Sequence, residues 1–87
     1  MQIANRAEVV ARIKRGEDIN NLDLSGADLS QLNLAHTSIR GSILKNANLS
    51  ETNLEGANLE NSDLSFATLK SANLTGAILK NANLNGA

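Results

Sequence analysis

The chain has 87 residues and a net charge of −1, with eight basic and nine acidic residues, one aromatic residue (Phe66), one histidine, no cysteine and no proline. That length allows one small domain, and the missing cysteines remove disulfides and leave a structural zinc site without its usual ligands. The balanced charge excludes the basic footprint of a nucleic-acid-binding surface and a polybasic membrane patch, and the N-terminus has no apolar stretch long enough for a signal peptide or a spanning helix, so the expected location is cytoplasmic.

Residues 1–18 read as a capping helix. Asn5 is placed to cap it, with Glu8 three residues on in a capping-box-like arrangement. Val9, Val10 and Ile13 form an apolar stripe at helical spacing, Lys14 and Arg15 suit the negative end of the helix dipole, and Gly16 is a natural stop. A helix this short is marginal alone in water, so its stripe must rest on the start of the chain segment beyond Gly16.

From Ile19 onward every fifth residue is aliphatic: Ile19, Leu24, Leu29, Leu34, Ile39, Leu44, Leu49, Leu54, Leu59, Leu64, Leu69, Leu74, Leu79 and Leu84. Twelve of the fourteen leucines fall in this register. A period of five fits neither a lone helix nor a flat strand, and means a small unit repeated and stacked. Two residues before the centre stands a small residue in most units, such as Ala27, Ala47, Ala57 and Ala72. One residue before it is usually Asp or Asn, such as Asp23, Asp28, Asn33, Asn48 and Asp63. Residues two apart on an extended backbone share a side, so centre and small residue point inward and the Asp or Asn points out. The other two residues must turn the chain, and Gly26, Gly41, Gly56, Gly76, Gly86, Asn46, Asn61 and Asn81 tolerate the positive φ that such a turn needs. Leu24 to Leu84 in this register, with Ile39, are the expected core centres.

The units Ala-Asp-Leu-Ser-Gln (27–31), Ala-Asn-Leu-Ser-Glu (47–51), Ala-Asn-Leu-Glu-Asn (57–61) and Ala-Asn-Leu-Thr-Gly (72–76) resemble the pentapeptide-repeat proteins, whose pattern is A-(D/N)-L-x-x. The resemblance covers residues 22–87 in thirteen tandem copies. It implies an all-β solenoid, a right-handed quadrilateral β-helix with four pentapeptides per square coil, here with a short N-terminal α-helical cap. The expected division is 1–18 for the cap and 19–87 for a β-helix of about three coils. The residues themselves show only the unit of five: Ile-Leu-Lys-Asn-Ala-Asn-Leu occurs at 43–49 and again at 78–84, a spacing that respects five and ignores twenty.

Departures from the pattern carry the remaining expectations. Leu22 and Leu32 are large where a small residue belongs, which fits a first coil widened to receive the helix. His36, the only histidine, reads as an exposed turn residue. Ile43 and Ile78 take the outward position and Phe66 a turn position, making these three the candidate partner contacts. Asn33, Asn53 and Asn73 are twenty apart and would stack as an outward Asn ladder. The last unit stops at Ala87 with no covering helix, and a bare strand edge invites pairing, so an end-to-end homodimer through the C-terminal coil is expected.

No catalytic, cofactor-binding or metal site is expected, because acid–base chemistry needs paired titratable groups in a water-excluded pocket and the inside here is leucine and alanine. The expected function is a non-catalytic scaffold, a protein–protein interaction or structural module. The resemblance offers an alternative, since some members imitate DNA and modulate DNA gyrase. Duplex DNA carries one charge per roughly 1.7 Å, so a column about 15 Å tall would need on the order of nine net negative charges. Residues 22–87 carry six carboxylates and four cations, a net of −2.

Overall fold

The computed structural model describes residues 1–87. Every fifth residue from Asn21 to Gly86 has a left-handed backbone, with φ between 56° and 73°. Only some of these are glycine or asparagine; Gln31, His36, Glu51, Phe66 and Ser71 are held there too. Each is a corner, and the short extended run between corners pairs with the run twenty residues away. Asp23, Ile43, Asp63 and Asn83 bridge in parallel as a first face, Asp28, Asn48 and Thr68 as a second, Asn33, Asn53 and Asn73 as a third, and Ser38, Asn58 and Ile78 as a fourth. The coil is therefore four-sided with a period of twenty residues.

The centres fill the inside. Ile19, Leu24, Leu29, Leu34, Ile39, Leu44, Leu49, Leu54, Leu59 and Leu64 are fully buried, with Ala47, Ala57 and Ala67 beside them. Burying one such aliphatic side chain contributes roughly 1.5–3 kcal/mol, the main force holding a column this thin. Leu69, Leu74 and Leu79 are only partly buried and Leu84 is 41% exposed, because no coil covers the last one.

The backbone bonds between coils have a direction. Leu29 and Gln31 donate upward, toward the C-terminal end, to the carbonyls of Asn48 and Ser50 at 2.8 and 3.0 Å, while Asn48 donates downward to Ala27 at 2.9 Å. Each pentapeptide repeats this, giving two upward amides for one downward amide. A fourth amide closes the corner, as in Ala27 to Leu24 at 3.0 Å. That leaves the amide just after the centre, and the outward Asp or Asn takes it.

The first coil departs from this scheme where Leu22 and Leu32 stand. Neither makes the corner bond that every other small position makes. At Leu22 the gap is filled by the residue one coil above: the Ser42 hydroxyl accepts from the Leu22 amide at 3.1 Å and donates to the Ile19 carbonyl at 2.6 Å. At Leu32 the Thr52 hydroxyl donates to the Leu29 carbonyl at 2.8 Å. Both hydroxyl residues are buried.

The N-terminal cap holds more than the expected helix. A strand β1 (Gln2–Ile3) precedes the helix α1 (Arg6–Lys14) and pairs in parallel with β2 (Leu22–Asp23), adding a rung beneath the first face. Asn5 caps α1 by accepting from the Glu8 amide at 3.0 Å. The Glu8 carboxylate does not close a reciprocal box; it accepts from Arg12 Nε at 3.0 Å instead. Val9 is fully buried, and Val10 and Ile13 border Leu32, so the widened coil does receive the helix. No helix is long and apolar enough to cross a membrane.

Candidate interaction surfaces

On the outer faces most polar side chains are engaged by their own turn. Oδ1 of Asp23, Asp28, Asn33, Asn48, Asn53, Asn58, Asp63, Asn73 and Asn83 each accepts from the amide two residues on, at 2.9–3.1 Å. This corrects the expected Asn ladder. Asn33, Asn53 and Asn73 do stack by their backbones, but their side-chain oxygens cap the amides of Ala35, Glu55 and Thr75 rather than one another. Such local bonds are what make Asp and Asn turn residues. The same bonding favours the ionised carboxylates. The hydroxyls of Ser25, Ser30 and Ser65, then their amides, hold Asp23, Asp28 and Asp63 below the ordinary carboxylate range.

Four units lack this acceptor, those with Ser38, Ile43, Thr68 and Ile78 in the outward position. The residue two further on in these units is Arg40, Lys45, Lys70 and Lys80, and these are all the cations of residues 22–87. Outward residues two apart share a side, so Lys45 stands beside Ile43 and Lys80 beside Ile78. The first face thus stacks Lys45 between the tiers of Asp23 and Asp63, and the fourth stacks Glu60 between Arg40 and Lys80. Arg40 and Glu60 come within 4.0 Å. The pattern was open to sequence reasoning but means little until the twenty-residue period aligns the tiers.

The three candidate contacts do not gather into one patch. Ile43 lies half-buried on the first face, Ile78 lies exposed on the fourth, and Phe66 occupies the corner between the first and second faces. His36 is exposed at another corner, where its ring lies beneath Gly56 of the next coil. No three His, Cys, Asp or Glu residues come together as metal ligands.

The two ends differ more than the faces. At the N-terminal end three of the downward carbonyls of the first coil are met by donors of the cap. Ala4 donates to Asp23 at 2.9 Å, and Arg6 Nη1 donates to Asp28 at 3.1 Å and Ser30 at 2.9 Å. Sequence reasoning missed Arg6, because nothing in a lone arginine shows which carbonyls await it. At the C-terminal end the upward amides of Leu69, Ser71, Leu74, Gly76, Leu79, Asn81, Leu84 and Gly86 make no backbone bond, and neither do the carbonyls of Ala67, Ala72, Ala77 and Ala82. That edge surrounds the half-exposed leucines. It carries Lys70 and Lys80 with no Asp or Glu after Asp63, whereas residues 18–37 hold Asp18, Asp23 and Asp28 and no Lys or Arg.

Comparison with known proteins places these features in a wider set. The family pattern described as pentapeptide repeats matches in eight copies over residues 18–46 and 47–86. Among solved structures, a pentapeptide repeat protein from the Arabidopsis thaliana thylakoid lumen is similar at 30% identity with a TM-score of 0.78, covering 84% of this chain and 50% of that one. The pentapeptide repeat protein Rfr23 from the cyanobacterium Cyanothece 51142 is 36% identical with a TM-score of 0.62, covering 80% and 54%. A third, from Nostoc PCC 7120, is 32% identical with a TM-score of 0.55, covering 88% and 77%. The chain therefore spans about half the length of the first two. No curated protein sequence matches it.

Proposed function

Because the chain belongs to the pentapeptide-repeat family, we propose that it is a non-catalytic scaffold that acts by protein–protein contact, with the right-handed coil of its solved relatives. The observation that carries this reading is the pattern of the outer faces, where charge alternates from tier to tier, Lys45 between Asp23 and Asp63 and Glu60 between Arg40 and Lys80, over a packed aliphatic inside. Hydroxyls inside the column bond carbonyls, and most outward carboxylates and amides bond their own turns. Within these 87 residues the edge of the last coil presents eight amides without a backbone partner around half-exposed leucines. An end-to-end homodimer through this edge is the simplest closed form of the contact, since the centre amide and small-residue carbonyl of each side have the spacing for antiparallel pairing. Ile43, Phe66 and Ile78 are separate, smaller contacts for other partners.

Size-exclusion chromatography with light scattering tests the contact. A concentration-dependent dimer is expected for the wild type, and a monomer for Leu84→Asp, which sets a charge on the exposed edge. If Leu84→Asp leaves the mass unchanged at every concentration, the last coil is not the contact. The gyrase alternative draws no support from the surface, whose charges alternate in sign along the first and fourth faces instead of accumulating acid.

A further inference from the structure

We propose that the corner carrying Phe66 is a docking site for an acidic segment of another protein, whose carboxylates complete the open turns on either side of the ring. The proposal rests on the outer faces being the contact surface, and names one place on them and the chemistry that fits it.

Each unit leaves one amide for a side chain to bond, the amide just after the centre. In nine units the outward Asp or Asn of the same turn takes it. At Arg40 the Asn20 side chain, one coil below, accepts it at 2.8 Å. Three such amides have no acceptor, and they belong to Lys45, Lys70 and Lys80. Every lysine of residues 22–87 therefore marks an open turn. None of the three ammonium groups is in an ion pair. The usual acceptor has been exchanged for Ile43, Thr68 or Ile78, and the cation stands two residues on. In capped turns the side-chain oxygen meets this amide on the outer side of the coil, so each open turn offers an amide and an ammonium together. Hydrogen bonds from such a pair to a carboxylate are charge-assisted and stronger than neutral ones. These amides take no part in the bonds between coils, so the turns stay open whatever lies above or below them.

Two of the three flank one corner. Lys45 lies on the first face next to Asn46, the corner beneath Phe66, and Lys70 lies on the second face, four residues past Phe66. Phe66 is 55% exposed and held at φ of 58°, while every other corner from Asn21 to Gly86 is glycine or polar. A bulky side chain is a strained occupant of that region, and the exposed part of the ring gains nothing from burial. An outward aromatic between unpaired cations has the make-up of a contact centre. The carboxylates of adjoining rows are already engaged, Asp23 and Asp63 by Ser25 and Ser65, and Glu51 by Gln31 at 2.8 Å. A lone carboxylate completes one turn. An extended segment with carboxylates on both sides of an apolar residue completes both and lays that residue on the ring. Nucleic acid fits less well, because its evenly spaced phosphates need continuous basic surface and Lys45 stands between the tiers of Asp23 and Asp63.

The test is an NMR titration of the full chain with a short peptide that has aspartates on both sides of a leucine. The same peptide with asparagine for aspartate, and a single-stranded oligonucleotide, are run beside it. The amides of Lys45 and Lys70 should move downfield with the acidic peptide alone, while the capped amides of Ser25 and Ser65 stay in place. Ile43→Asn with Thr68→Asn restores the repeat's own acceptor at both turns without altering charge, and should weaken binding roughly tenfold or more. Phe66→Asn, which suits the corner, should weaken binding while raising the thermal midpoint. All three substitutions follow the repeat pattern, so loss of binding cannot be loss of the fold. Affinity unchanged in the double Asn variant would show attraction by charge alone and overturn the proposal. An oligonucleotide that moves the same amides as strongly overturns it as well. Shifts confined to Lys80, on the fourth face, overturn the corner and leave the faces as contact surfaces. No shift at any lysine amide with millimolar peptide also overturns the corner, and the scaffold reading then stands or falls with the masses from light scattering.

Discussion

Ser42 sits one coil above Leu22 and completes its turn: the Ser42 hydroxyl accepts the amide of Leu22 and passes a bond to the carbonyl that this amide would otherwise reach. Alanine is the commonest residue at the Ser42 position of the repeat, so pattern alone says that Ser42→Ala should be neutral or stabilising. The geometry says the reverse. Two buried backbone groups would lose their partner, at a cost of about 1–3 kcal/mol. Urea unfolding should show a lower midpoint for Ser42→Ala, while Ala47→Ser, at a corner already closed by Ala47 to Leu44 at 3.0 Å, gives no comparable gain. A midpoint unchanged in Ser42→Ala would mean that the Leu22 corner closes by itself.

His36 and Gly56 make a second vertical pair. Gly56 has φ of 65°, and a Cβ there would fall 2.7 Å from His36 Cε1, while Gly26, at φ of 69°, has nothing within 4 Å. Gly26→Ala therefore measures the left-handed penalty alone, roughly 1 kcal/mol. Gly56→Ala adds the clash and should be the more destabilising. His36→Ala with Gly56→Ala should recover the difference and no more, which a double-mutant cycle reads directly. Equal losses at Gly26 and Gly56 would show that the imidazole simply swings away.

Acid should loosen the faces in a particular way. Asp23, Asp28 and Asp63 titrate below the ordinary carboxylate range because their ionised forms accept from Ser25, Ser30 and Ser65. A group with a depressed folded value adds stability that is complete above its unfolded value and is lost as pH falls through the folded one. Thermal midpoints should then hold steady from neutrality down to the carboxylate range and fall below it. Changing all three to Asn keeps an acceptor at each turn and should flatten that acid limb while leaving the neutral midpoint within a few degrees. An acid limb as steep as the wild type's would assign it to other carboxylates.

Arg6 ties the cap to the second face through two carbonyls. Arg6→Ala should cost on the order of 1 kcal/mol, since the bonds are charge-assisted but partly exposed. Arg6→Lys should recover only part, because both bonds come from Nη1 and the lysine side chain is one bond too short to bring its ammonium to that position. Hydrogen exchange at Asn5–Val10 is the sensitive readout, and protection there unchanged by Arg6→Ala would remove Arg6 from the cap.

The inside of this molecule was legible in the sequence because the centres need only be apolar and evenly spaced: Leu24 through Leu64 are buried where the register puts them. The N-cap at Asn5 was legible for the same reason, being a local bond. What escaped were relationships between residues twenty apart or more. Ser42 looks like a small residue until Leu22 lies beneath it, and Arg6 looks like a helix charge until Asp28 and Ser30 offer their carbonyls. Asn33, Asn53 and Asn73 were placed in the right stack and given the wrong bond, because a turn amide two residues away is a nearer partner than a neighbour in the next coil.

The corners come every five residues, but the vertical pairs recur every twenty. Removing one pentapeptide from the middle of the column would leave an aliphatic centre inside every remaining unit and turn everything above the cut by a quarter revolution. With the cut between His36 and Gly56, Lys80 would move to the face that now carries Asn73, and His36 would exchange its glycine neighbour for Asn61. The interior would register no change while the exterior was dealt out afresh. A protein built this way can alter what it shows to its surroundings by a whole facet at a time without rewriting the residues that keep it folded.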